Sequence, residues 1–349
     1  MRNILVTGGY GFIGSNFINY LLNLSPHESY YNKIVNFDKV TYAANSLNLE
    51  SVSKNSKYSF VNGDICDESL FYKTLIKFDI DAVVNFAAES HVDNSISNPD
   101  DFIKTNILGT YKILNAAKLY HSENKKNFLF YHISTDEVYG SLNKDDNAFT
   151  EDNQYQPNSP YSASKASSDH LVRAWHHTYK LPVLTSNCSN NYGPFQFPEK
   201  LIPLTIINAL SGMPISIYGD GLNIRDWLYV TDHCSAIETI LHNGKIGEIY
   251  NIGGNNEKTN MFIVESICNE LEKIRPSFQN PNIKDGSGYF DLIKYVDDRP
   301  GHDFRYSIDS SKLSKNLNWV PAESFESGIV KTVKWYVDNQ NWIDSTIKK

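Results

Sequence analysis

NILVTGGYGFIGS, residues Asn3 to Ser15, is the stretch on which the reading of this chain turns. Five residues that are apolar on both faces run into a glycine-rich turn, and an apolar helix pattern opens directly after it. Gly8, Gly11 and Gly14 stand in the spacing Gly-x-x-Gly-x-x-Gly, a variant of the shorter Gly-x-Gly-x-x-Gly fingerprint. Glycine lets a backbone approach a pyrophosphate closely, and the helix that follows offers N–H donors and the positive end of its dipole. Phe12 and Ile13, at the start of that helix, belong to the same cradle. A glycine-rich turn alone is equally an ordinary tight turn before a packed helix. The preceding strand and following helix supply the context that a nucleotide cradle needs.

Outward from this turn the pattern repeats. IVNFD, YSFVN, AVVNFAA, FLFYHIS and PVLTSNC are further short runs, each apolar on both faces, as parallel strands covered on both sides must be. Between them lie amphipathic stretches such as Phe102 to Tyr120 and Tyr161 to Tyr179, the latter with Pro160 suited to a first helical turn. The fold class is therefore α/β, a doubly wound Rossmann-type parallel sheet with right-handed crossovers and a smaller C-terminal α/β lobe. After about Cys188 the rhythm shortens, and Pro194, Pro198, Pro203 and Pro214 interrupt it. Residues 1–188 are predicted to form the dinucleotide-binding domain. Residues 189–349 are predicted to form mainly the substrate lobe, with elements from about 231–253 (IETILHNG, IYNIG) returning to the main sheet. Pro276 to Ser287 reads as a surface loop and the terminal IKK as a frayed end.

Composition narrows the function classes. The 349 residues carry a formal net charge of -8, with 41% hydrophobic and 21% charged residues, which argues against a general nucleic-acid binder. Cys66, Cys188, Cys234 and Cys268 form no Cys-x-x-Cys pair, so neither a metal site nor a disulfide framework is indicated. No signal-peptide pattern precedes the first strand, and no run approaches the ~20 apolar residues that cross a bilayer. The expectation is a cytoplasmic protein with no membrane partner.

Asp38 ends the second strand, where a carboxylate accepts hydrogen bonds from an adenosine ribose and repels a 2′-phosphate, favouring NAD over NADP. Lys39 follows it and could soften that repulsion. Asp64 and Ile65 stand at the end of the third strand, where adenine would lie, although Asp64 taken alone is more readily a helix-cap or turn residue. FLFYHIS leads into Ser134, Thr135, Asp136 and Glu137 at the carboxyl edge of the sheet. Tyr161 and Lys165, four apart, share one helix face. A tyrosine with pKa of about 10 is a poor base at neutral pH, but a neighbouring ammonium and a cationic nicotinamide both favour its phenolate. Tyr161 could then take a proton from a sugar hydroxyl.

These residues, with TGGYGFIGS, AAESHVDNSI, STDEVYG, YSASKA, SNNYGPFQFPEKLIPL, YGDGLNIRDWLYV, YNIGG and DDRPGHDFRY, resemble the extended short-chain dehydrogenase/reductase family and, within it, the dTDP-glucose 4,6-dehydratases. The resemblance covers almost the whole chain. It implies oxidation at C4 with Tyr161 as base, removal of the C5 proton by Glu137, protonation of the departing C6 hydroxyl by Asp136, and return of hydride to C6 with NAD kept bound. Related epimerases and reductases keep the Tyr and Lys but lack the Asp-Glu pair, so an epimerase is the weaker alternative. The implied substrate is dTDP-glucose, with UDP-glucose the alternative.

The resemblance carries Thr41, Phe86, Ala87, Ala88, Ser90 and Thr105 onto the cofactor channel, with Asn191 on the cofactor side. Ser90 and Thr135 would touch the hexose and Asn190 the sugar diphosphate. Glu199, Lys200, Leu201, Tyr218, Arg225, Asn260, Arg299 and His302 would hold the nucleotide diphosphate. Asn94 stands where the family usually has arginine, removing any ion pair made there. The resemblance also implies a homodimer, for which Phe102 to Tyr120 and Ala166 to Tyr179 are the candidate interface helices.

Overall fold

The computed structural model describes residues 2–25, 30–123, 127–298 and 300–347. Strand β1 (Arg2–Thr7) pairs in parallel with both β2 (Tyr31–Asp38) and β4 (Ala82–Asn85). With β3 (Tyr58–Asn62), β5 (Leu129–Thr135), β6 (Val183–Cys188) and, later in the chain, β10 (Ile249–Ile252), they make a seven-stranded parallel sheet in the order β10-β6-β5-β4-β1-β2-β3. Side chains alternate between two cores. Ile4 and Val6 pack with Phe17, Leu21 and Ile237 on one face, while Leu5 packs with Phe37, Leu75 and Phe130 on the other. The chain moves outward from β1 through β2 and β3, then returns to β4 and proceeds the other way. The reversal between β1 and β4 is the topological switch point, and a crevice opens there at the carboxyl ends of the strands.

Four sequence expectations need correction. β3 is an edge strand whose residues are only partly covered, and Phe60 is 40% exposed, so YSFVN is not buried on both faces. In AVVNFAA the strand stops at Asn85. Phe102 to Tyr120 is not one regular helix, because Ile103–Gly109 winds as a π-helix between Asp100–Phe102 and the α-helix Thr110–Glu123. Pro203 breaks nothing: it lies in the first turn of the helix Leu201–Leu210, where a proline removes no helical hydrogen bond.

The second lobe holds a three-stranded sheet, order β11-β9-β7, built from β7 (Asn190–Tyr192), β9 (Ile224–Tyr229) and β11 (Glu257–Thr259). Beside it β8 (Ile215–Tyr218) pairs with β12 (Ile293–Val296). Helices Leu201–Leu210, Asn260–Ile274 and Phe325–Asp338 close its own core around Ile206, Ile267 and Val333. The helix Val230–Asn243 and β10 rejoin the main sheet, β10 alongside β6. The stretch Pro276 to Ser287 is a largely exposed surface loop, anchored where buried Asn280 donates to the Leu210 carbonyl at 3.0 Å and where Ile283 is buried. Ile347 ends the last helix, and the two terminal lysines of IKK lie outside the described residues. Among the described residues no helix is long and apolar enough to cross a membrane.

Candidate active site

Gly8 turns the chain out of β1 with φ +66°, and a Cβ there would stand 2.9 Å from the Ala87 backbone. A Cβ on Gly14 would lie 2.3 Å from the Gly8 carbonyl oxygen. Gly11, by contrast, would meet only that same carbonyl, at 3.2 Å, so its outer side faces open space. Two glycines therefore permit the turn and the third leaves room for a ligand. Gly9, which the spacing did not single out, is equally constrained: its Cβ would stand 2.3 Å from Asn36 Oδ1.

Every residue assigned above to the cofactor lines one cleft of about 320 Å³ at the switch point, from Gly8 and Asp38 through Asp64 and Phe86 to Tyr161, Lys165 and Asn191. Thr135, Glu137, Asn190, Glu199 and Lys200 line it too. Asp38 accepts the Tyr10 N–H at 2.9 Å and the Val40 N–H at 2.7 Å, which fixes its carboxylate against the glycine turn. Burial raises its pKa and those two hydrogen bonds oppose the rise. Lys39 does not offset Asp38. Its ammonium pairs with Asp64 at 2.8 Å, and Asp64 also accepts the Cys66 N–H as a turn residue.

At the end of β5, Thr135 caps a single helical turn, accepting the Glu137 N–H and donating to Asp136 Oδ1, each at 3.3 Å. The two neighbouring carboxyl groups sit in different surroundings. Asp136 is 2% exposed, does not line the cleft, and has an Oδ2 with no hydrogen-bond partner among the described residues. Burial first, then Glu137 and Asp226, push its pKa well above the usual carboxylate range, while Arg225 pulls the other way. Glu137 is half-buried and faces the cleft.

Helix Pro160–Tyr179 starts on a reciprocal cap between Ser159 and Ser162, with proline in its first turn. Tyr161 and Lys165 follow one turn apart. The expected lowering of the tyrosine by an adjacent ammonium is not what the chain alone provides. Burial, then Glu137, hold Tyr161 well above its ordinary value, with a Thr135 hydrogen bond working against them. The Lys165 ammonium donates instead to the Ile133 carbonyl at 2.8 Å.

The remaining substrate residues divide. Lys200 donates to the Ser90 carbonyl at 2.8 Å across the cleft mouth, and Leu201 follows it as the first residue of its helix without lining the cleft. Asn94 reaches the Tyr42 hydroxyl, and that hydroxyl reaches Glu199, each at 3.4 Å. The neutral side chain thus joins a hydrogen-bond chain in place of an ion pair. Tyr218, Asn260 and His302 lie in the second lobe outside this cleft, the Tyr218 and His302 rings 6.3 Å apart and His302 Nδ1 2.6 Å from Asp298.

Arg225 is 5% exposed and stacks on Tyr306 at 4.3 Å. Its guanidinium donates to the carbonyls of Ile224, Asp303 and Phe304 at 2.7, 2.9 and 3.3 Å. Arg299 lies outside the described residues. Among the described residues no cluster could hold a metal ion.

Sequence reasoning passed over Asn106, His132, Asp169 and Tyr306. A signal for two of them was present: Asp169 continues the Tyr161–Lys165 spacing by another four, and His132 is a polar residue inside an otherwise buried strand.

A glycine cradle at the switch point of a doubly wound sheet, flanked by a Tyr-x-x-x-Lys helix, is the arrangement of the extended short-chain dehydrogenase/reductases. The family profile described as GDP-mannose 4,6 dehydratase matches residues 5–332. The dTDP-glucose 4,6-dehydratase of Neisseria meningitidis serogroup B is 52% identical over 346 residues, covering 98% of this chain and 95% of its own length. That of Escherichia coli is 53% identical, covering 98% of this chain and 94% of its own. The crystal structure of DesIV, a dTDP-glucose 4,6-dehydratase from Streptomyces venezuelae with NAD and TYD bound, matches with a TM-score of 0.89 and 41% identity over 99% of both chains. The chain belongs to the nucleotide-sugar 4,6-dehydratase family, within its group of dTDP-glucose 4,6-dehydratases.

Proposed function

We propose that this protein converts dTDP-glucose into its 4-keto-6-deoxy derivative, using NAD that is regenerated within each turnover. The observation that carries this reading is the unequal carboxyl pair: Asp136 is buried with one oxygen unpartnered, and its neighbour Glu137 faces the cleft beside Tyr161. A dehydrogenase or an epimerase needs the tyrosine and the lysine but has no use for an acid and a base held in separate surroundings.

The cleft suits NAD. The open side of Gly11 fits a pyrophosphate, and the fixed carboxylate of Asp38 suits a ribose without a 2′-phosphate. NAD held there supplies the hydride acceptor at C4 and the hydride donor at C6. The positive charge of bound NAD, added to that of Lys165, would lower Tyr161 towards the phenolate that the chain alone disfavours, and Tyr161, with Thr135 beside it, then receives the C4 hydroxyl proton. The resulting ketone acidifies C5, and Glu137 removes and later returns the C5 proton. Asp136, kept protonated by burial just behind the cleft lining of Thr135 and Glu137, would be the proton donor to the C6 hydroxyl, which leaves as water. Over one cycle Tyr161 gains a proton and Asp136 loses one, so one proton must pass between them or through solvent before the next turnover. In this reading residues 1–188 hold the dinucleotide, while Asn190, Glu199, Lys200 and the second-lobe group Tyr218, Arg225, Asn260, Arg299 and His302 receive the nucleotide diphosphate.

The protein works as a cytoplasmic homodimer in this proposal. Four free thiols fit a reducing compartment. Exposed apolar residues on the two helices named for the interface, Leu108, Leu119 and Tyr179 among them, fit self-association.

The test is incubation with dTDP-glucose and with UDP-glucose, followed by mass spectrometry. Loss of water from the dTDP sugar is expected; a stereoisomer at unchanged mass would overturn the reading. Glu137→Gln should still generate NADH absorbance on adding substrate, yet lose dehydration by ~100-fold or more, in the range of a removed catalytic base.

A further inference from the structure

Behind the cleft wall a buried polar chain runs from the glycine turn to the active-site lysine. The Ala87 N–H donates to Thr7 Oγ1 at 3.1 Å, and Thr7 donates to Asn85 Oδ1 at 2.6 Å. The Asn85 amide is thereby oriented, because its oxygen is taken and its N–H must face His132 Nδ1 at 3.1 Å. Nδ1 is the acceptor and Nε2 carries the hydrogen. Nε2 lies 3.3 Å from Asp169 Oδ1, and the other Asp169 oxygen accepts from Ser134 at 2.8 Å. Lys165 Nζ stands 3.4 Å from the same Nε2.

This tautomer rules out one role. A proton cannot pass from Lys165 to a ring nitrogen that already holds one, so the ring is no proton wire. What Asp169 can supply beside it is negative charge. The groups facing Lys165 from the other packed elements do not supply it: His132 on β5 is held neutral, its pKa pushed down to about 4 chiefly by burial, and Cys188 on β6 is pushed up to about 12 by burial. Tyr155, from the segment before the helix, rests its hydroxyl against Asp169 and is likewise raised by burial. Asp169 also borders a second cavity of about 390 Å³ that shares no lining residue with the first.

We propose that Asp169 is a positioning residue of the reaction, the buried counter-charge that, held by Ser134 beside His132, keeps the Lys165 ammonium charged and directed at the Ile133 carbonyl beside Tyr161. This rests on the dehydratase reading for its consequence, though not for its electrostatics. Burial lowers the pKa of Lys165 and Asp169 raises it back. Removing the carboxylate therefore lets the lysine lose its proton at lower pH, and the alkaline limb of turnover moves down with it.

The experiment compares wild type with Asp169→Asn, which keeps the shape and an acceptor for Ser134. The Lys165 Nζ titration is followed by nitrogen-15 NMR in the NAD-loaded protein without substrate, and kcat and KM are followed against pH. The expected result is a downward shift of the lysine titration by about 1 unit or more, the size of a close opposite charge, with a matching shift in the alkaline limb of kcat and a KM within about twofold. An unmoved lysine titration in folded Asp169→Asn overturns the proposal. A lysine that shifts while no dehydration is seen with any sugar leaves the counter-charge standing and overturns the dehydratase reading instead. If Asp169→Asn does not fold, Asp169→Glu, which retains the charge, must keep the wild-type titration, and a lowered one overturns the proposal.

Discussion

Asp136 and Glu137 are adjacent, chemically almost identical, and differ by what surrounds them. A carboxyl group whose pKa is raised in the folded state contributes stability that is complete below the ordinary carboxylate range and is lost as pH rises through the raised value. Asp136 is such a group, pushed up by burial, then by Glu137 and Asp226. Asp136→Asn removes the cost of ionising it, so the variant's melting temperature should exceed the wild type's by a margin that grows from acid to alkaline pH. A gain of roughly 2–4 °C at pH 8 would correspond to about 1 kcal/mol in a chain of somewhat smaller size. The same variant should form NADH and fail to dehydrate. A thermal scan across pH checks the first statement, and a margin that shrinks with pH would contradict the burial argument.

The π-helical stretch Ile103–Gly109 serves the site through Asn106. Its side chain, 1% exposed, accepts the Glu89 N–H at 2.9 Å and donates to the Glu89 carbonyl at 3.0 Å and to Ser164 at 2.8 Å. Its backbone carbonyl accepts from Ser168 at 2.7 Å. A wider helical turn thus ties the cleft loop that includes Glu89 and Ser90 to the helix that carries Tyr161. Asn106→Ala should destabilise the fold by about 2–4 kcal/mol, since it leaves several buried partners unsatisfied. It should also weaken NAD binding more than any exposed substitution on the same helix, as denaturant titration and calorimetry would measure. The amphipathic periodicity of Phe102 to Tyr120 was legible in the sequence. The π turn was not, because it depends on Ser168 and Glu89 reaching Asn106 from elsewhere.

For the molecule as a whole, the helices Thr110–Glu123 and Pro160–Tyr179 lie against one another through Tyr111 and Trp175, with ring centroids 5.8 Å apart, and through Lys118 over Tyr179 at 4.6 Å. Leu108 and Leu119 remain 44% and 41% exposed. If this face joins two copies, Leu119→Glu should halve the mass measured by light scattering while leaving the melting temperature of the monomer nearly unchanged. An unaltered mass would place the interface elsewhere.

The glycine spacing, the six apolar runs and the Tyr161–Lys165 pair could all be read along the chain, because each is a local signal: a backbone geometry, a short unbroken apolar run, one turn of helix. These sufficed for the doubly wound sheet and its glycine turn, whereas much of the cleft lining, Gly63, Gln196 and Phe197 among it, carried no such signal. Which carboxyl group is buried, which partner Lys165 takes, and that Arg225 is engaged by Asp303 and Phe304 were decided only in three dimensions. The reason is physical. Proton affinity and ion pairing depend on charges and solvent at a few ångströms: for Asp136 these are burial first, then the adjacent Glu137, then Asp226 and Arg225, which arrive from about ninety residues further along the chain.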